Sequence, residues 1–416
     1  MVIVYIAAAI LILGVMIAIH ELGHYLAAKA VGIKVTEFAI GFGPAIFKRQ
    51  SKKTGEIFSL RWIPLGGFCA FEGQNDFELP PERKKDEAQE EVSLSSLVEQ
   101  ERAKNGEYPL ARGMAYDQAH PWRRLVVLFA GAFFNFVSAI LFSVVLLMVV
   151  GYTQGVRVNT MFDFTHQDSA IVNNIADPNN PGHIGLLQGD VILAVNGQEF
   201  TLLNGFGSRL AGLQAGDTPR LTILRDGVET HTYVTIGLMS VDGQAAGRPA
   251  VGIYTGIPEG RTDVVPADMV FRPMGFFAAI GRAFLFAFEL AWLILSFLWM
   301  LISGQIGLSG IGGPISTITV MAENIGASFL NILILVPLIS VNLAVFNLLP
   351  IPALDGARMI FVGIEWVRKK PINPNLEAKI HMVGLILLMS AVVLLDISFL
   401  FGGGRGMLEL FGRWRL

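Results

Sequence analysis

The chain has 416 residues, a formal net charge of −3, and 53% hydrophobic against 16% charged residues, where soluble proteins carry about a quarter charged. That excess of apolar residues identifies a multi-span membrane protein. The near-neutral balance offers no concentrated basic face for nucleic acid, and a single cysteine, Cys69, excludes an internal disulfide and a cysteine-based structural zinc site.

Apolar stretches long enough for helical spans occur at 2–24, 125–151, 283–302, 327–349 and 383–402, since crossing a bilayer core takes roughly 20 residues. The first has no basic residue before Lys29 and no small-residue cleavage site, so it is expected to be retained as a span rather than removed as a signal peptide. Residues 25–124 follow, with Lys48, Arg49, Lys52, Lys53, Arg83, Lys84, Lys85, Arg123 and Arg124. Positive loops remain in the cytoplasm, so the first span runs outside to inside and the second returns.

Within that loop, Glu56–Gly73 (EIFSLRWIPLGGFCAFEG) combines β-branched and aromatic residues with the Gly66-Gly67 break, which predicts a short bent hairpin near the membrane. The insertion at 74–118 is a mixed charge run with one weak helical stripe, Leu94, Leu97 and Val98, and reads as a solvated excursion. Residues 152–265 change to short β-rich runs punctuated by Gly, Asn and Asp. GLLQGD (Gly185–Asp190), VILAVNG (Val191–Gly197) and a hairpin turned at Asp226-Gly227 resemble the core of a PDZ domain, a module that binds extended peptides along a sheet edge. No carboxylate-capturing glycine loop is evident, which leaves peptide binding and a steric or gating role both open.

The chemistry-bearing pattern is HELGH, 20–24, at the end of the first apolar run. On a helix, positions i and i+4 share a face, so His20 and His24 present two imidazole nitrogens to one metal ion. Glu21 stays outside the ligand set, placed to take a proton from an attacking water. The same five residues also fit a polar helix end at the membrane interface, with Glu21 paired to Lys29 or a lipid headgroup. Their position at the end of a span favours the metal, because ionisable groups there are costly unless paired or ligated.

Zinc requires a third protein ligand and an open fourth position. His120, His166, His183, His231 and His381 show no partner pattern. Asp355, in NLLPIPALDGARM (Asn347–Met359), is the better candidate: Pro350 and Pro352 break the preceding apolar helix and free local carbonyls. Taken alone, Asp355 is more readily an ordinary turn residue.

Together these segments resemble the site-2 protease family, zinc metalloproteases that cut inside membranes, and within it the bacterial regulator-of-sigma-E protease branch. The resemblance rests on HELGH at 20–24, NLLPIPALDG at 347–356, GFGP at 41–44, Gly131 and Asn135 in G-x-x-x-N spacing, a PDZ-like segment after the second span, and LSGIGGPIS at 308–316. It implies that His20, His24 and Asp355 bind Zn2+, that Glu21 is the general base, and that Asn347 holds the substrate backbone or the developing oxyanion. It also implies that the Gly66-Gly67 hairpin aligns the substrate as an added strand. Substrates implied by the family are single-span membrane proteins: anti-sigma factors after a first cut, or remnant signal peptides. The chain has room for one PDZ-like domain rather than two.

The expected fold is an α-helical polytopic membrane protein of about four transmembrane helices in the bacterial inner membrane, with an inserted extracytoplasmic PDZ-like α+β domain and a membrane-associated β-hairpin loop. In order these are a first span at 1–30, a cytoplasmic region at 31–124 holding the hairpin at 56–73, and a second span at 125–151. The PDZ-like domain follows at 152–265, then a surface or re-entrant helical segment at 266–320 and a third span at 321–356. A cytoplasmic loop at 357–382, a last span at 383–402 and a tail at 403–416 complete the chain. Because the metal ligands lie at the C-terminal ends of two apolar helices, both helices must point the same way, so 283–302 makes no net crossing. Arg358, Arg368, Lys369 and Lys370 agree with a cytoplasmic loop after Asp355, whereas Arg405, Arg413 and Arg415 run against an outside tail. Two other functions use the same residues: a metal transporter or sensor, which does not need Glu21, and an inactive membrane PDZ scaffold.

Overall fold

The computed structural model describes residues 2–74, 111–159, 185–214, 216–241, 244–251, 253, 268–305, 313–328 and 330–401. Most of the charged insertion at 74–118 and of LSGIGGPIS lies outside these residues. The chain divides into two compact units, Leu146–Ala279 and the remainder, Met1–Val145 with Ile280–Arg415.

In the larger unit, α1 (Val2–Val31) carries no charged side chain before Glu21. Gly32, at φ +76°, ends it. Its N–H bonds the Lys29 carbonyl and the N–H of Ile33 bonds the Ala28 carbonyl, a closure that needs a left-handed residue and so favours glycine. The chain then enters β1 (Val35–Gln50) and β2 (Ile57–Phe71), both sharply bent. Residues 35–40 pair with 67–71, while 57–61 pairs with 45–50 and also runs beside 37–40. The expected hairpin inside 56–73 is therefore one bent strand whose partner is the 35–50 segment, which satisfies backbone groups that a short self-contained hairpin leaves open.

Glu37, Ser59 and Arg61 pin this sheet: Ser59 Oγ donates to Glu37 Oε1 at 2.6 Å and Arg61 Nη2 at 2.7 Å. Burial opposes the Glu37 charge, but these two hydrogen bonds outweigh it and hold the carboxyl below its usual range. The sheet exposes apolar side chains, among them Phe42, Ile46, Phe47, Leu60, Trp62 and Ile63.

Helix α2 (Pro121–Val149) starts on a proline, suited to a position with no N–H to satisfy. It lies antiparallel to α1, with Gly23 against the Ala130 carbonyl, where a Cβ would come within 2.5 Å. In the smaller unit, β3 (Thr153–Arg157), β4 (Val191–Val195), β5 (Gln198–Thr201), β6 (Arg220–Arg225) and β7 (Val228–Tyr233) join β10 (Asp268–Phe271) in one antiparallel sheet, ordered β10-β3-β5-β4-β6-β7. The short helix α3 (Phe206–Leu210) covers a core of Leu186, Ile192, Phe200, Leu221 and Ile223. Asn196-Gly197 and Asp226-Gly227 both turn with positive φ, the two-residue hairpin chemistry that their sequence encodes. Arg225 forks onto the buried Asp190 at 2.8 and 2.7 Å. A separate ribbon pairs β8 (Gly237–Val241) with β9 (Gln244–Ala250).

Back in the larger unit come α4 (Phe276–Ile302), α5 (Pro314–Ala327), α6 (Asn331–Leu348), α7 (Asp355–Arg368) and α8 (Pro374–Phe401). The region expected as one span over 321–356 is instead α5 and α6 with a break at 328–330. There Ser328 Oγ accepts the Leu330 N–H, and Asn331 Nδ2 donates to the Asn324 carbonyl. Tyr5, Ala9 and Ile12 of α1 pack with Met321 and Ile325 of α5 and with Ile332, Leu335 and Ile339 of α6. The first halves of α1 and α6 thus lie together, and the two helices run in the same direction. Among the described residues, α1, α2, α4, α6 and α8 are long and apolar enough to cross a membrane.

Asp396 of α8, buried inside this apolar bundle, caps α5: its carboxylate accepts N–H groups from Gly313, Ile315 and Ser316 at 3.0–3.1 Å. Water does not reach such donors in a bilayer, so the carboxylate does the work of solvent. Asp396→Ala is expected to lower stability by about 2–3 kcal/mol, and Asp396→Asn by less, in denaturant unfolding of the protein in detergent micelles.

Candidate metal centre

His20 and His24 sit one turn apart on α1, and Asp355 opens α7. His20 Nε2 lies 3.1 Å from Asp355 Oδ2 and 3.1 Å from His24 Nε2, and His24 Nε2 lies 3.2 Å from Asp355 Oδ2. These side chains form the one group of three or more metal-ligating residues among those described. Donors about 2.0–2.1 Å from a tetrahedral zinc lie about 3.3 Å from one another, so the triangle has the size that such an ion demands. Two bare imidazole nitrogens and a carboxylate oxygen repel at this distance in an apolar surrounding, and a divalent cation among them removes that repulsion. The residues fit the metal.

The third ligand reaches the histidines through a tight return of the chain. Leu349 leaves α6 in extended backbone, Ala353 takes φ +82°, and α7 begins at once. Gly356 makes the return possible, since a Cβ there would lie 2.4 Å from the carbonyl oxygens of both Leu348 and Leu349. His381 of α8 braces the loop: its Nδ1 accepts the Ala353 N–H at 3.0 Å. Its sequence position gives no sign of this role, because the partner is a backbone group 28 residues away.

Helix α2 backs the histidines with one face. The Val127 carbonyl accepts from His24 Nδ1 at 2.7 Å, which leaves Nε2 bare and aimed at the triangle. Gly131, one turn on, supplies room: a Cβ there would come within 2.5 Å of His24 Nε2 and 2.7 Å of His20 Cε1. Asn135, a further turn on, meets His20. The Val127 contact lies beyond sequence reading, because a backbone carbonyl has no residue type to recognise.

Glu21 is buried beside His20, outside the triangle, in electrostatic range of His20, His24, Asp355 and Arg358. Strand β2 passes directly against it. A Cβ on Gly67 would lie 3.0 Å from Glu21 Cγ and 2.9 Å from the Ala39 carbonyl, and Gly66, at φ +141°, packs under the Phe42 ring. Segment 67–71 pairs with β1 and with no second strand among the described residues. Asn347 lies half-buried on the last turn of α6. The structure therefore brings together His20, Glu21, His24, Asp355 and Gly67, with Gly66 adjoining and Asn347 eight residues ahead of Asp355.

Three donor atoms within 3.2 Å of one another beside the Glu21 carboxylate, at the end of one apolar helix and just past the end of a parallel one, have the make-up of a metallopeptidase centre. The chain belongs to peptidase family M50, whose model matches residues 8–391. It is 27% identical to the zinc metalloprotease RasP of Bacillus licheniformis, over 95% of this chain and 99% of that protein. It is 28% identical to the zinc metalloprotease RasP of Oceanobacillus iheyensis, over the same shares of 95% and 99%. With the regulator of sigma-W protease RasP of Bacillus subtilis it shares 27% identity, over 95% of this chain and 98% of that one. It is a multi-pass membrane peptidase.

Because Gly131 leaves the two imidazoles their space, Gly131→Ala is expected to weaken divalent-metal binding at least tenfold. Metal content of the purified protein and competition with a chelator measure this.

Proposed function

We propose that the chain is a zinc endopeptidase that hydrolyses peptide bonds in or beside the transmembrane segments of other membrane proteins. The observation that carries this reading is the convergence of His20, His24 and Asp355 with Glu21 left free beside a sheet edge. His20, His24 and Asp355 would hold the zinc, in agreement with the metal named in the relatives. Zinc, when bound, supplies Lewis-acid polarisation of the scissile carbonyl and acidifies water at neutral pH.

The remaining steps fall to the protein. Glu21 accepts the proton of the attacking water as the new C–O bond forms, and passes it to the amide nitrogen as the C–N bond breaks. Asn347 offers its amide to the substrate backbone or the developing oxyanion. A substrate helix hides its amides in its own hydrogen bonds and must unwind before attack. The 67–71 edge, brought close by the missing side chain of Gly67, compensates those lost bonds by strand addition next to Glu21.

The parallel run of α1 and α6 supports a topology in which both enter from the outside and end near the cytoplasmic face, α2 and α8 return, and α4 with α5 makes no net crossing. The 152–265 segment, read as PDZ-like, then lies outside the cytoplasm of a bacterial inner membrane. The Bacillus subtilis relative, by its name a regulator of sigma-W protease, supports regulatory single-span membrane proteins such as anti-sigma factors as one substrate class; remnant signal peptides are the second.

A metal transporter or sensor has no use for Glu21. Incubation of purified protein with a tagged single-span substrate separates the readings: Glu21→Gln is expected to retain zinc and to lose cleavage by about 100-fold or more. Cleavage by the variant at the wild-type rate removes Glu21 as base, and zinc binding without cleavage by either form points to transport or scaffolding.

A further inference from the structure

We infer that the Asn135 side chain is a positioning residue: its carbonyl oxygen accepts a hydrogen bond from His20 Nδ1–H, fixing the tautomer that leaves His20 Nε2 bare toward the metal. The inference rests on the zinc reading above and concerns a residue that neither contacts the metal nor takes part in proton transfer.

The geometry is one-sided in a telling way. His20 Nε2 faces two acceptors, His24 Nε2 and Asp355 Oδ2, each at 3.1 Å. To ligate, it must be unprotonated, and a neutral imidazole then carries its proton on Nδ1. A buried ring N–H requires an acceptor. The group that the structure puts at His20 Nδ1 is the Asn135 amide, 3.4 Å away through its nitrogen, while Asn135 Oδ1 is buried with no hydrogen-bond partner. Amide oxygen and nitrogen exchange places by a half-turn about the Cβ–Cγ bond, and the correct orientation follows from the bonding. The half-turn pairs donor with acceptor at His20 and moves the amide NH2 to the position where the carbonyl oxygen now has no partner.

Asn135 is held for this task. It is fully buried, and its backbone carbonyl lies 2.8 Å from Ser138 Oγ and 3.0 Å from Ser340 Oγ of α6, the two hydroxyls lying 2.6 Å apart, so that one hydroxyl donates to the other and the second donates to the carbonyl. This ties α2 to α6 behind the histidines. The arrangement also repeats the His24 contact two turns earlier, where the Val127 carbonyl accepts from Nδ1. A carbonyl oxygen then stands behind each imidazole, the kind of acceptor that a metal-binding histidine's other ring N–H usually has.

The test uses the full chain in detergent micelles, with zinc affinity measured by chelator competition and the ligand-field bands of the cobalt-substituted protein as a second readout. Asn135→Leu preserves volume and removes the acceptor; Asn135→Asp retains an acceptor but cannot donate. The expected result is zinc affinity 10- to 100-fold weaker in Asn135→Leu, with altered cobalt bands, and near wild-type values for both readouts in Asn135→Asp. Wild-type affinity in Asn135→Leu, or equal loss in both variants, overturns the inference while leaving the zinc reading in place. Failure of the wild type to bind zinc overturns the zinc reading itself. If thermal melts of the metal-free variants show that neither folds, nitrogen-15 NMR of histidine-labelled, metal-free wild type decides, with the His20 signals assigned by their loss in His20→Gln. A proton on Nδ1 supports the inference, and a proton on Nε2 contradicts it.

Discussion

With both Nε2 atoms unprotonated, two imidazoles and a carboxylate held within 3.1–3.2 Å of one another inside an apolar bundle repel until a cation joins them. Much of the larger unit serves to impose that contact. Two of the donors come from α1 and the third lies more than three hundred residues later, so α1 and α6 must run side by side in one direction and end at one depth. The packing of Tyr5, Ala9 and Ile12 against α5 and α6 sets the direction. The broken exit from α6, the close contact at Gly356 and the His381 brace set the depth.

Helix α2 supplies what the ligands lack. Its Val127, Gly131 and Asn135 lie on one face at successive turns and give, in order, a carbonyl for His24, open space, and an amide for His20. The hydroxyls of Ser138 and Ser340 lock that face to α6, so the helix that orients two ligands is bonded to the helix that delivers the third. On the opposite side, β2 needs glycine at 67 to approach Glu21. Glu21 thereby lies between the candidate metal ligands and a strand edge.

Much of this is legible in the sequence where residue type and spacing are themselves the signal. HELGH offers two candidate ligands and a candidate base because i and i+4 share a helical face, and the apolar runs offer candidate spans because their length matches a bilayer. The turns at Asn196-Gly197 and Asp226-Gly227 follow from local backbone chemistry. Asp355 is legible as a candidate only, since nothing local separates a ligand from an N-terminal turn residue; the long NLLPIPALDG motif supplied the rest by resemblance. The 35–50 strand escapes notice because its alternation is interrupted by Gly41, Gly43 and Pro44 at the bend. The roles of His381 and Asp396 escape because their partners are backbone atoms brought near by tertiary packing, and that of Val127 escapes because its own contribution to His24 is a backbone carbonyl.

Zinc K-edge X-ray absorption of the purified wild-type protein measures the central contact directly. The account predicts a four-coordinate shell of nitrogen and oxygen donors at about 2.0–2.1 Å, with multiple scattering from two imidazoles, and loss of one oxygen donor in Asp355→Ala. A shell without histidine scattering, or one unchanged by Asp355→Ala, would contradict it.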